Sequence, residues 1–432
     1  MLSKNVGTEA DLPTPRYRIY VLCIMLAIYT LSYIDRLLVG ALAPLIKADL
    51  QLTDAQLGFA NSTVFALFFV GFSIPLGWLA DHYNRKRIII TALLLWSTFT
   101  MLFGMGRTVG HLVMARSGVG FGEAGGGSPT HSMLMDYFPK SQRARAMAIY
   151  GFGVPLGIAL GAALGGWSSS IYGWRVTFVI AGGLGFFLSA VFGLTVREPK
   201  RITADGLPPK TASLLQSVKT MASKPAFIGL CGGVTCGGVV GFSKYFWITS
   251  FLVRSFGLSL VEVTSIFGLI QFVAGIGGAW VGGYLSDRLA AKHGPAAHAW
   301  VMSTAFVATI PMMCGLVLAT TPTVAFVFLS AETFFISFQN GPNAAAVQHL
   351  ATPALRGTAS SMLNVCLIAI AMGLGVPFVG ALSDALLQRY GAESLRYALF
   401  SLPAFYGLGA LSYMWAGRCM SGEKAMAVPA AS

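Results

Sequence analysis

Gly77-Trp78-Leu79-Ala80-Asp81-His82-Tyr83-Asn84-Arg85-Lys86-Arg87 is a short polar turn between two apolar runs, and it returns once as Gly283-Tyr284-Leu285-Ser286-Asp287-Arg288, 206 residues later. Other pairs follow in the same order. Glu123 is matched by Glu332, Pro139-x-x-x-Arg143 is echoed by Pro353-x-x-Arg356, and Gly173-Trp174-Arg175 returns more loosely as Ser394-Leu395-Arg396. Several matches in one order, at slowly growing offsets, mark an internal duplication. Two parallel repeats of apolar segments imply a rocking transporter with its site between the halves.

The composition agrees with a polytopic membrane protein. Of 432 residues 55% are hydrophobic and 10% charged, and 51 are Gly. Apolar runs long enough to cross a bilayer lie at 19–43, 57–80, 88–106, 110–135, 146–170, 175–196, 226–252, 263–286, 299–319, 323–347, 359–387 and 395–416. The expected fold is therefore all-α, with twelve transmembrane helices in two pseudo-symmetric six-helix bundles. The polar stretch 197–224, with Pro208-Pro209 and six basic residues, reads as a cytoplasmic linker between an N-terminal bundle, 1–196, and a C-terminal bundle, 225–432. The first sixteen residues carry Lys4, Glu9, Asp11 and Arg16 with no apolar core, so no cleaved signal peptide is expected.

The net charge of +13 is a topology signal and not a nucleic-acid footprint. With the N-terminus inside, the tails and even-numbered connections hold 20 of the 29 Lys and Arg. Lys47, Arg107, Arg175, Arg254, Arg389 and Arg396 lie on the other side, and Arg36, Arg116 and Lys244 lie within spans. Positive charge inside places both termini in the cytoplasm. A bacterial inner membrane is the expected location, and a monomer the expected state. The six Cys lack CxxC spacing and read as packing residues, so neither a disulfide framework nor a metal site is expected. There is no GxxxxGK[ST] loop, HExxH or catalytic GxSxG elbow, so neither an ATP-driven pump nor an enzyme is expected, and no cofactor.

In the opening turn, Gly77 would allow close helix approach, Asp81 would accept from free N–H groups at a helix start, and Arg85 would reach Asp136 at the inner end of the fourth span. Such a latch would hold the cytoplasmic side closed. The plainer reading, a solvated basic turn, is weakened by its return at Gly283, Asp287 and Arg288.

That loop and its repeat, together with Arg116-Ser117-Gly118-Val119-Gly120-Phe121-Gly122-Glu123-Ala124 and Gly153-Val154-Pro155-Leu156-Gly157, resemble the major facilitator superfamily over nearly the whole chain. More narrowly, Ser32-Tyr33-Ile34-Asp35-Arg36, Asp81-His82-Tyr83-Asn84-Arg85-Lys86 and Gly120-Phe121-Gly122-Glu123-Ala124 are similar to the Spinster branch, whose members move lysophospholipids or sphingosine phosphates. The loop departs from the general pattern at His82 and Asn84; the Asn is shared with Spinster-like proteins.

Charges inside spans are expensive and mark function. Arg116 and Glu123, seven residues apart, share one face of the fourth span about 10 Å apart along its axis. Asp35, late in the first span, falls at a comparable depth and is expected to pair with Arg116, with Arg36 or substrate competing. Burial raises a carboxyl pKa and a nearby Arg lowers it, so Asp35 and Glu123 are the expected proton-responsive groups. Arg116 is the anion partner or gate, and Arg36 is its neighbour in the same substrate or gating role. A static network that never titrates is the competing reading. In the second half Lys244 is read as binding an anionic head group, pairing with Glu332, or snorkelling outward. Phe242, Tyr245, Phe246 and Trp247 are core, interface or path lining. Gln271, Gln339, Asn340, Asn343 and Asn364 suit interhelical hydrogen bonds, and His111 and His131 suit helix ends.

The expected function is proton-coupled secondary transport by alternating access, with an anionic amphiphile such as a lysophospholipid or sphingosine-phosphate-like lipid as substrate. A small organic-anion/proton symporter or multidrug exporter is the alternative, and a lipid-binding sensor without transport a further one. The partners expected are that amphiphile, protons and the bilayer, with no nucleic acid.

Overall fold

A computed structural model describes residues 12–200, 214–351 and 355–427. Within helices, the side chains of Asp81 and Arg356 fall outside this description, and Pro353 lies outside it entirely. The chain is helical throughout, with no strand among the described residues.

Nine helices among the described residues are long and apolar enough to cross a membrane. Two of them, Arg145–Thr195 and Thr358–Ser421, have the length of two crossings each. The first turns at Gly173, whose φ of 78° is costly for any residue with a Cβ. The second turns near Gly391, at a φ of 54°, and continues through Ser394–Leu399. The fourth span completes the twelve, but not as the continuous helix expected over 110–135. It is Val109–Ala124 followed by Gly127–Tyr137, broken at Gly125-Gly126. With helix-breaking glycines in succession, the helical ladder is interrupted there.

Side chains define the ends of these helices. Thr108 and Thr321 open the fourth and tenth spans, their hydroxyls accepting from the N–H groups of His111 and Val324. Asn84 opens the third by accepting from Arg87 N–H at 2.9 Å. Each cap satisfies one of the donors that a helix start leaves without a partner. At the opposite end of the third span, Arg175 donates to the carbonyls of Gly104 and Gly106. Arg396 does the same for Val317 and Ala319 at the end of the ninth. The loose sequence match between Arg175 and Arg396 is therefore one structural device used twice, a cation on the carbonyl end of a helix.

The chain packs as two compact units, Met1–Pro208 with Ser259–Gly268, and Pro209–Leu258 with Leu269–Ser432. In the first, the opening helix Pro15–Ala41 lies along Gly153–Thr195, and the fourth span packs on the second and third. In the second, the last helix, Leu402–Ala427, lies against Pro225–Phe256 and Ala296–Leu318. All six cysteines are free thiols.

Candidate functional site

In the first unit the first four spans bring charged groups together in the core. Gly120 and Gly122 make this possible: a Cβ at Gly120 would stand 2.7 Å from the Phe65 carbonyl, and one at Gly122 2.7 Å from Trp96 N. The fourth span is thereby pulled onto the second and third, and Glu123 and Arg116 end 4% and 2% exposed. Arg36 Nη2 lies 2.6 Å from Glu123 Oε2, Arg36 Nε donates to the same oxygen at 2.7 Å, and Ser32 Oγ adds a third bond at 3.0 Å. The Arg36 guanidinium is also 5.0 Å from the Tyr33 ring centroid and 5.1 Å from that of Phe69.

Asp35 is 1% exposed, and its Oδ2 accepts from Thr100 Oγ1 at 3.2 Å. The expected Asp35–Arg116 pair is not formed. Arg116 instead donates through Nε to the Asn61 carbonyl at 3.4 Å and stands 5.1 Å from the Phe65 ring centroid. Asp35 Oδ1, Arg116 Nη2 and Glu123 Oε1 are buried without hydrogen-bond partners. Arg36, and not Arg116, is the cation that pairs with a carboxylate here. Neighbouring side chains on a helix diverge by about 100°; here this sends Asp35 toward the third span and Arg36 toward the fourth.

The second unit buries a complete ion pair. Lys244 Nζ contacts Glu332 Oε2 and donates to Thr333 Oγ1 at 3.3 Å, while Tyr406 OH donates to Glu332 Oε1. Lys244 and Glu332 are both 0% exposed, which excludes snorkelling in this state. Trp247 and Phe246 are core residues, the indole N–H of Trp247 donating to the Val376 carbonyl at 3.0 Å. Gln339 and Asn343 meet Tyr413 OH in interhelical hydrogen bonds. Asn340 and Asn364 are exposed.

At the turn after the second span, Arg85 is 1% exposed and contacts Asp136 Oδ2 at 2.5 Å and Ser132 Oγ at 2.9 Å. Glu198 completes the cluster, accepting from Arg85 Nε at 2.8 Å and from Lys86 N–H at 2.7 Å. The second copy is built differently. Asp287 and Arg288 are exposed. A Cβ at Gly77 would meet Ser128 Oγ at 3.7 Å, and at Gly283 nothing, so the tight helix approaches lie at Gly120 and Gly122 and not at these motif glycines.

The sequence model of the Major Facilitator Superfamily matches residues 25–376. The chain belongs to this superfamily. It is a multi-pass transporter, and not an enzyme. An MFS-type efflux pump of Mycolicibacterium smegmatis is 31% identical over 418 residues, 94% of each chain. Human protein spinster homolog 1 is 28% identical over 416 residues, covering 90% of this chain and 78% of the human one. The crystal structure of a bacterial homologue of the human lysosomal transporter Spinster, inward-facing and unoccupied, superposes with a TM-score of 0.85 at 27% identity, over 94% of this chain and 98% of that one. Within the superfamily this transporter resembles the Spinster branch.

Sequence reasoning missed six contributors to these clusters of the transporter: Thr100, Asn61, Thr333, Tyr406, Ser132 and Glu198. Thr100 and Asn61 are polar residues in apolar spans, and that signal was available. Tyr406 looked like any core aromatic. Glu198 was read as part of the linker, because nothing in Arg197-Glu198-Pro199 indicates that the chain folds back onto Arg85.

Proposed function

We propose that this transporter couples movement of an anionic amphiphile, of the lysophospholipid or sphingosine-phosphate type, to protons by alternating access. The observation that carries the reading is the incomplete pairing in the first unit, where Asp35 and Arg116 are both buried, charged types, and neither faces an opposite charge within ion-pair distance. An uncompensated buried charge costs about 3–5 kcal/mol, and such groups persist in membrane spans where they serve ions or substrate. Asp35 takes and releases the proton, with Glu123 exchanging between Arg36 and a proton. Arg116, with one free guanidinium nitrogen, accepts the anionic head group.

The Lys244–Glu332 pair then serves as anion site or gate in the second unit, and the Arg85–Asp136 contact as the cytoplasmic latch, with Asp81 in the same role. Both termini lie in the cytoplasm of a bacterial inner membrane, and the transporter works as a monomer. The lipid cargo is what the resemblance to the Spinster branch implies. The M. smegmatis efflux pump favours a second reading, a multidrug exporter, and the probable sulfoacetate transporter of Cupriavidus necator, 26% identical over 420 residues, a small organic-anion symporter.

Competition separates them. In proteoliposomes under an imposed pH gradient, uptake of a labelled lysophosphatidylglycerol is expected, inhibited by unlabelled lysolipid and not by dicarboxylates. Inhibition by dicarboxylates, or by cationic drugs alone, transfers the assignment to the corresponding alternative.

A further inference from the structure

The second span is helical from Asp54 to His82 except for the widened turn Phe59–Thr63, where Val64 N–H reaches back five residues to the Phe59 carbonyl. Such π-turns disturb the regular hydrogen-bond ladder and recur at functional sites. Inside this one the Asn61 carbonyl accepts Arg116 Nε, and the Asn61 amide donates to Ser62 Oγ at 3.1 Å. Asn61 is 2% exposed and its Oδ1 has no partner. The second unit repeats the arrangement. Gln271 begins the π-turn Gln271–Gly275 of the eighth span, is 3% exposed, and has an unpartnered Nε2. That turn faces Thr333, whose hydroxyl receives Lys244. Each unit thus presents a buried carboxamide from a π-turn beside its buried charges.

We propose that Asn61 is a positioning residue for proton coupling: its π-turn holds Arg116 away from Asp35, leaving that carboxyl with an unneutralised oxygen. The proposal rests on the reading of Asp35 as a proton-responsive group. The charged groups facing Arg116 are Asp35 and Arg36 from the first span and Glu123 from its own, while the second span contributes Asn61 and the Phe65 ring. Among the described residues, the Asn61 backbone carbonyl alone bonds the guanidinium. Asn61→Leu removes the amide bond to Ser62, favours a regular helical turn, and releases Arg116 toward Asp35. Asn61→Asp places a negative charge on the residue whose backbone carbonyl already accepts from Arg116, which strengthens that hold and keeps the guanidinium from Asp35.

The two variants therefore move proton affinity at Asp35 in opposite directions, which loss of packing alone would not do. The test needs no substrate. Infrared spectra of the purified full-length protein are recorded against pH, and the protonated-carboxyl stretch that vanishes in Asp35→Asn is assigned to Asp35. Its midpoint is expected about one pH unit lower in Asn61→Leu and about one unit higher in Asn61→Asp, a tenfold change in proton affinity each way. Wild-type midpoints in both variants, or shifts of the same sign, overturn the positioning role while leaving Asp35 as a titrating group. The absence of any band lost in Asp35→Asn overturns the role together with the reading beneath it.

Discussion

Glu332 shows what a satisfied buried charge looks like in this protein: Lys244 and Thr333 on one oxygen, Tyr406 on the other. Breaking such a pair leaves an uncompensated ion, whereas replacing both partners by apolar groups removes the problem with the bond. Lys244→Met alone is expected to destabilise the second unit by about 3–5 kcal/mol, and Lys244→Met with Glu332→Leu by much less, as read from thermal unfolding in detergent. Equal losses in single and double variants would mean that the pair contributes only packing. The charged residues themselves were legible in the sequence because an ionisable residue in an apolar span stands out. Their pairing was not, since whether Asp35 or Arg36 meets the fourth span depends on the rotation of the first helix about its axis, and spacing along one chain does not set that angle.

At the scale of the helix, Arg175 and Arg396 do equivalent jobs at unequal exposure. The side chain of Arg175 is 36% exposed and shares Asp49 with Trp174, while that of Arg396 is 19% exposed. Hydrogen bonds from a charged donor contribute about 1.5–3 kcal/mol when screened little by water. Arg396→Gln is therefore expected to cost about 2 kcal/mol, and Arg175→Gln less, in unfolding titrations of the purified protein. A larger loss for Arg175 would contradict this ranking of the two caps. A second expectation concerns the fourth span. Gly122→Val drives two methyls into the third-span backbone at Trp96, where a Cβ alone would already stand 2.7 Å from Trp96 N, and overpacking of this kind costs about 1–3 kcal/mol. It is expected to displace Glu123 from Arg36 and to lower the unfolding temperature; an unchanged melting profile would show that the span yields without strain. The spans were readable from hydropathy alone, because the lipid requires a run of fixed length. The break at Gly125-Gly126 was not, since both fragments remain apolar and only the local backbone distinguishes them.

For the molecule as a whole, the repeated loops and acids in the sequence point to a duplication, and the superfamily is shown by its sequence model over residues 25–376. Function divides differently from sequence. The Gly283–Arg288 copy keeps the glycine, leucine and aspartate of the first loop but not its buried arginine cluster: at the same offset Arg85 is matched by Ala291, and Arg288, matched to His82, stays exposed while Arg85 is enclosed by Asp136, Ser132 and Glu198. Arg85→Gln is accordingly expected to alter transport rates more than Arg288→Gln in the same proteoliposomes, and the reverse order would assign the latch to the second copy. The central claim is that Asp35 couples substrate movement to proton movement. The direct test is the pH inside proteoliposomes, followed with a trapped dye after lysophosphatidylglycerol is added outside with no gradient imposed. The wild type should show a substrate-dependent pH change that is abolished in Asp35→Asn while labelled lysolipid still binds. A pH change of equal size in Asp35→Asn, or lysolipid flux in the wild type with no pH change at all, would contradict it.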